Sequence, residues 1–205
     1  MNRFESRSKV SYNQKADDYN NTAEGRFTFE YKKKLLECIR VSKGSKVLDV
    51  ACGNGTFLKM IDSEHEISGY GIDISDKMIA NARRLNPNMD FYTATCNHIP
   101  FSDAFFDLVT VCCAYHHFPN VEDFAKEAYR LLKPDAYLFV AEIYNPFLIR
   151  MVLNPFVPLS KDGDVKFYSP REIIATFQSN GFEKIFFQKD GQVQILGFRK
   201  LPSYY

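Results

Sequence analysis

Three clusters in this sequence hold side chains able to do chemistry. They are Asp49 with the Gly53-Asn54-Gly55 turn, Asp73, and the pair His116-His117. In "VLDVACGNGTF" an apolar, β-branched run stops at a carboxylate and then at glycine. A glycine-rich turn after a strand lets backbone N–H groups approach a bound molecule with no side chain between them. Asp49 just before that turn would repel a pyrophosphate and attract an ammonium, which favours a cationic ligand. Asp73 closes "GYGID", where a carboxylate can accept hydrogen bonds from both hydroxyls of an adenosine ribose. Such a carboxylate is common to dinucleotide and other nucleoside sites. The third glycine of a dinucleotide fingerprint would fall at Leu58, and no Gly-Lys-Ser/Thr phosphate loop is present.

These residues need a scaffold, and the sequence lays one out. Strand-like runs at 46–51, 67–73, 89–95, 105–113 and 136–144 are each followed by a turn or an amphipathic segment. Helices are expected at 56–65, 75–86 and 121–132, the last stopped by Lys133 and Pro134. Ser75 is a suitable N-cap for the second. "SPREIIATFQSNGF" reads as a helix with Pro170 at its start and Gly181 past its end. Asp190-Gly191 then separates two strand-like runs as a hairpin turn would. The fold class is therefore α/β: five parallel βα steps and a C-terminal antiparallel hairpin in one seven-stranded mixed sheet, with helices on both faces. Ahead of it, "SYNQKADDYNN" and "FTFEYKKKLLECIRV" are helix candidates.

Composition narrows the function classes. The 205 residues are 45% hydrophobic with a formal net charge of +1, enough for one domain with its own core. Lys32, Lys33 and Lys34 read as the wet face of a helix, so neither nucleic acid nor a membrane surface is expected as a partner. The polar N-terminus and the lack of an apolar run near ~18 residues point to a cytoplasmic protein with no membrane span. Cys38, Cys52, Cys96, Cys112 and Cys113 form no C-x-x-C pair and are expected as reduced thiols. Cys112 and Cys113 should face opposite sides of a regular strand. The histidines show no ligand spacing with them, so no metal site is expected.

Taken in order, "VLDVACGNGTF", "GYGIDISDKMIANAR", "IPFSDAFFDLVTVCCAYHHF" and "EAYRLLKPDAYLFVAE" resemble the successive motifs of class I S-adenosylmethionine-dependent methyltransferases, in particular the ubiquinone and menaquinone biosynthesis branch. The resemblance implies a doubly wound, Rossmann-like sheet and the cofactor S-adenosylmethionine, released as S-adenosylhomocysteine. It places the cofactor's amino-acid part at Asp49, Gly53, Asn54 and Gly55, its ribose at Asp73 and its adenine near Ile74 and Met78. Thr95 stands where the family usually has an Asp for the adenine amino group, so recognition there would lean on Cys96 and Asn97. Asp135 and Ala136 replace two family glycines after Pro134. Cys112 would border the site, and Tyr19 would cover it, the likeliest of Tyr12, Tyr19, Tyr115, Tyr144 and Tyr168 to do so. His116 and His117 are either general bases or the floor of the acceptor pocket.

The implied organisation is a helical cap over 1–45, a cofactor-binding core over 46–145, a substrate-side connection over 146–168 and a C-terminal helix and hairpin over 169–205. With its prolines and apolar residues, the connection reads as a short cover over a small apolar or aromatic acceptor. A homodimer is compatible with this plan. Two other functions remain open: a nicotinamide-dependent oxidoreductase, against which Leu58 and Asp49 speak, and a non-catalytic cofactor-binding partner subunit.

Overall fold

The protein is described by a computed structural model covering residues 1–202; positions 203–205 of the expected C-terminal unit lie outside the described residues. Seven strands form one sheet in the order β3-β2-β1-β4-β5-β7-β6. The chain runs α1 (Arg3–Lys15), α2 (Ala23–Cys38), β1 (Lys46–Val50), α3 (Thr56–His65), β2 (Ser68–Asp73), α4 (Asp76–Leu85), β3 (Asp90–Thr93) and β4 (Phe106–Cys112). It continues through α5 (Val121–Leu131), β5 (Leu132–Ile143), α6 (Phe147–Leu153), α7 (Pro170–Ser179), β6 (Phe182–Asp190) and β7 (Val193–Lys200). β1 to β5 pair in parallel, and β7 enters antiparallel between β5 and β6.

Alternation along the strands builds a core on each face. In β1, Leu48 and Val50 join a cluster with Phe124 and Ala128 of α5 and Ile173 and Phe177 of α7. Val47 points the other way, into a cluster with Tyr31 and Leu35 of α2, Phe57 of α3 and Ile79 of α4. Burying each such side chain stabilises the fold by about 1.5–3 kcal/mol. Two-sided burial is why β4 is apolar from Leu108 onward except at Thr110. β1 is flanked by β2 on one side and β4 on the other, so connections diverge there and leave a crevice at the strands' carboxyl ends.

Several boundaries differ from the sequence expectation. Lys133 and Pro134 do not form a stop between helix and strand: α5 ends at Leu131 and β5 starts at Leu132, with a register shift beside Phe106 and Leu108 that accommodates Pro134. Asp135 sits at φ 61°, the left-handed conformation for which a glycine would be the unstrained choice. β3 is four residues long. The hairpin loop is Gly191-Gln192, one residue later than expected, because Asp190 pairs with Val193. The first helix begins at Arg3, where Asn2 and Glu5 form a reciprocal cap.

Candidate functional site

The crevice opens into a cavity with about 910 Å³ of empty space, counting the part open to solvent. Its floor is the C-terminal end of β1 and the loop after it. Asp49 lies beside Thr110 in the β1–β4 register and is 2% exposed, and the Thr110 hydroxyl donates to its carboxylate at 2.8 Å. Burial pushes the Asp49 carboxyl up to about 7, against the Thr110 hydrogen bond and the Lys32 ammonium. A buried carboxyl held that high is one that a bound cation would ionise.

The two turn glycines do different work. Gly53, at φ 55°, presents its backbone to the cavity, and an added Cβ would meet nothing nearer than the Met78 sulfur at 3.9 Å. Gly55, at φ 76°, caps α3 and is not part of the lining; a Cβ there would press on the Asn86 amide at 2.7 Å and the Phe91 ring at 2.9 Å. Close approach to a ligand thus belongs to Gly53 and helix packing to Gly55. The N–H of Gly53 donates to Asp73 at 2.9 Å, and the N–H of Ser75 donates to its other oxygen at 2.8 Å. Burial raises the Asp73 carboxyl, with these two N–H groups opposing it. Ser75 caps α4 through Met78 N, so one short turn orients Asp73, Ile74 and Met78 together. Ala51 and Cys113 hold φ of 60° and 52° where β1 and β4 meet the cavity, a local cost of about 1–2 kcal/mol each.

Of the residues expected from sequence, the cavity brings together Tyr19, Asp49, Gly53, Asp73, Ile74, Met78, Thr95, Cys96, Cys112 and His117. Asn54, Gly55, Asn97 and His116 do not line it. Asn54 instead ties the loop to the N-terminal segment through Asn20 and accepts from the Thr56 hydroxyl. Asn97 is exposed and accepts from Thr95 at 2.8 Å. Tyr115 and Tyr168 pack in the α5–α7 core, and Tyr144 lies under Lys189. Cys113 faces the cavity beside Cys112 because β4 ends before it, so the two thiols do not divide between faces. The 146–168 connection does not cover the cavity. Its helix α6 leaves Phe147, Leu148, Ile149, Met151 and Val152 exposed, while α1 and α2 supply the covering side chains Glu5, Ser8, Tyr12, Thr28 and Lys32.

Lys32 is the residue that sequence reasoning misplaced. It stands four residues after Thr28 and four before Leu36, both buried, so it shares their face of α2 rather than the wet one. The 3.6-residue period carried that signal.

The two histidines follow β4 on a 3₁₀ turn, Tyr115–His117. His116 Nδ1 lies 2.8 Å from Glu142 Oε1, and both residues are buried. Burial lowers the His116 pKa, but the carboxylates of Glu142, Asp164 and Glu24 together outweigh it and the net shift is upward. His117 meets the Tyr12 hydroxyl at 3.0 Å through Nε2 and Asp164 Oδ1 at 2.9 Å through Nδ1. Burial and the neighbouring His116 lower its pKa. Asp164 is held down at about 2, the two imidazoles outweighing its burial.

Residues 48–140 match the family described as methyltransferase domain. Among relatives, a demethylmenaquinone methyltransferase of Lactobacillus johnsonii is 27% identical over 146 residues, 67% of this chain and 57% of that protein. The chain thus spans little more than half the length of that relative. The methyltransferase in the complex with the Haloferax volcanii Trm112 methyltransferase activator superposes with a TM-score of 0.77 at 17% identity, covering 98% of this chain and 99% of that one. The [4+2]-cyclase SpnF also superposes, with a TM-score of 0.74 at 17% identity over 85% of this chain and 82% of its own. The shared architecture therefore does not by itself fix the reaction, which must be argued from the side chains.

Proposed function

We infer that this chain binds S-adenosylmethionine and transfers its methyl group to a small apolar or aromatic molecule. The observation that carries the reading is the placement of Asp49 and Asp73 on either side of Gly53, all three facing one cavity. The residues fit the cofactor. Asp49 answers an ammonium, Lys32 a carboxylate and Asp73 a pair of ribose hydroxyls, while Gly53 leaves the space a Cβ would fill. Ile74, Met78, Cys96 and the Thr95 hydroxyl would border the adenine. Bound there, the cofactor supplies an electrophilic methyl on a sulfonium.

For an in-line displacement the chain's task is to align the acceptor, exclude water and take up a proton where the acceptor carries one. His117 is the histidine that reaches the cavity and can border the acceptor there, while His116 is committed to Glu142. Tyr12, Tyr19 and Phe118 give the same region an aromatic wall suited to an apolar acceptor. In this reading, residues 1–45 act as the cap and the demethylmenaquinone methyltransferase relatives indicate the acceptor's general type. A nicotinamide cofactor is disfavoured by the buried Leu58 at the third-glycine position and by the anionic Asp49.

Calorimetric titration with S-adenosylhomocysteine and with NAD tests the cofactor reading. Saturable binding of the first alone is expected; binding of NAD alone, or of neither, overturns it. A screen of acceptors that follows S-adenosylhomocysteine release then identifies the substrate class, and no turnover with any aromatic or apolar acceptor would overturn the transfer reading.

A further inference from the structure

Beside the cavity, three potential metal ligands converge from segments far apart in sequence. His116 Nε2 and His117 Nδ1 lie 3.6 Å and 2.9 Å from the same oxygen, Asp164 Oδ1, and the ligand atoms of the three residues fall within 4.8 Å of one another. Asp164 is fixed there from both sides. Val165 N donates to the His116 carbonyl at 2.8 Å. Before it, Gly163 at φ 78° lets the chain run against α1, where a Cβ would strike the Phe4 carbonyl at 2.4 Å. Asp162 is gripped by Lys15 at 2.7 Å and by the Ser11 hydroxyl.

The surrounding hydrogen bonds decide which way the imidazole lone pairs point. The Tyr12 hydroxyl has one proton and donates it to Glu24 at 2.8 Å. At its 3.0 Å contact with His117 Nε2 the tyrosine oxygen must therefore accept, so Nε2 carries the proton. His117 then turns its Nδ1 toward the Asp164 carboxylate oxygen 2.9 Å away. His116 is arranged in the same way: Nδ1 faces the fully buried Glu142 carboxylate at 2.8 Å, and Nε2 faces Asp164. Two imidazole nitrogens and a carboxylate oxygen converging on one point form a donor set that a single cation can share. Imidazoles whose outer nitrogens are held by a carboxylate or another polar group are the usual support of a metal ligand set.

We propose that His116, His117 and Asp164 bind one divalent first-row transition ion, of the zinc, iron or nickel kind, at the wall of the cavity. Two imidazoles and one carboxylate select such an ion over calcium or magnesium, which take oxygen ligands. With metal–ligand bonds near 2.1 Å, the observed separations of 2.9 and 3.6 Å correspond to angles of about 90° and about 120° at the ion. Three protein ligands leave coordination positions open, and because His117 lines the cavity an acceptor oxygen can reach them. The sequence expectation of no metal weighed the histidines only against cysteines; Asp164 is the partner it lacked.

The test reads metal binding alone and so stands or falls apart from the methyl-transfer reading. Metal-stripped full chain is titrated with Zn²⁺ by calorimetry and with Co²⁺ by absorption. One ion per chain is expected, with visible ligand-field bands and no thiolate-to-cobalt charge transfer. Asp164→Asn changes a partly exposed loop side chain without threatening the core, and it should weaken binding at least tenfold. Glu142→Gln should weaken it about 10–100-fold if the supporting shell works as described, with circular dichroism checking that this buried change leaves the fold intact. No stoichiometric binding, binding unchanged in Asp164→Asn, or a thiolate charge-transfer band that assigns the ion to the cavity cysteines would each overturn the site.

Discussion

The two ends of the cavity, one proposed above for the cofactor and one for the acceptor, are built by different means. At the cofactor end, Asp49, Gly53, Asp73, Ile74 and Met78 come from two adjacent strands and the turns that follow them, and backbone N–H groups do much of the positioning. At the acceptor end, His117 and Tyr12 come from a 3₁₀ turn and an N-terminal helix and meet through their side chains, and His117 is held from behind the lining by Asp164 of a late loop. The first arrangement is local and backed by regular pairing, while the second depends on distant segments finding one another. Substitutions at the cofactor end should therefore act on affinity, and those at the acceptor end on rate.

The largest expected effect is that of Gly53→Val. A β-branched side chain at φ 55° is strained, and its methyls would fill the space kept open in front of Met78. Calorimetry should show no measurable S-adenosylhomocysteine binding in a folded variant. Retained micromolar binding would mean that the cofactor end does not use this glycine.

At the other end, His117→Ala should cut the methylation rate by roughly 10²-fold or more, with cofactor affinity almost unchanged. His116→Ala should instead lower thermal stability, because it takes the imidazole away from the buried Glu142 carboxylate and leaves it only backbone N–H donors. A His117→Ala variant that loses cofactor affinity in step with rate would erase the distinction between the two ends. Asp73→Ala sharpens it from the cofactor side, with an expected loss of about 1.5–3 kcal/mol in affinity, the range for hydrogen bonds to a charged group. Unchanged affinity in a folded Asp73→Ala protein would remove Asp73 from the ribose.

The same contrast explains what could be read in the sequence. Period-2 and period-3.6 patterns, Ser75 as a cap and the Gly53 turn are short-range signals, and they foretold the strands, helices and sheet class. β7 inserting between β5 and β6 is a long-range pairing that no turn residue encodes. Within the site, Gly53 and Gly55 look alike in sequence, and only the neighbours Asn86 and Phe91 tell packing from ligand approach. Asp164 was invisible because nothing in its local pattern says that it will meet histidines from the far side of β5. The apolar residues of 147–156 suggested a cover because composition gives hydrophobicity but not direction, and they point outward.

The smallest expected effect, and the one that tests the cofactor end most directly, is the pH dependence set by Asp49. Its carboxyl is held at about 7 by burial, with Thr110 and the Lys32 ammonium opposing and the Asp73 charge reinforcing the rise. A carboxyl raised above its unfolded value near 3.9 binds more protons in the folded state. Its contribution to stability is full below about pH 4 and is lost as pH rises through about 7. Ligand affinity runs the other way, since only the ionised carboxylate attracts an ammonium. S-adenosylhomocysteine should therefore bind about tenfold more tightly at pH 7.5 than at pH 6, while the ligand-free protein loses melting temperature over the same interval. Asp49→Asn cannot ionise and should flatten this contribution to both slopes. If titrations at matched ionic strength show the same pH dependence of affinity in the Asn variant as in the wild type, the ammonium is not read by Asp49, and recognition of the cofactor's amino-acid part passes to Lys32 and the backbone of Gly53.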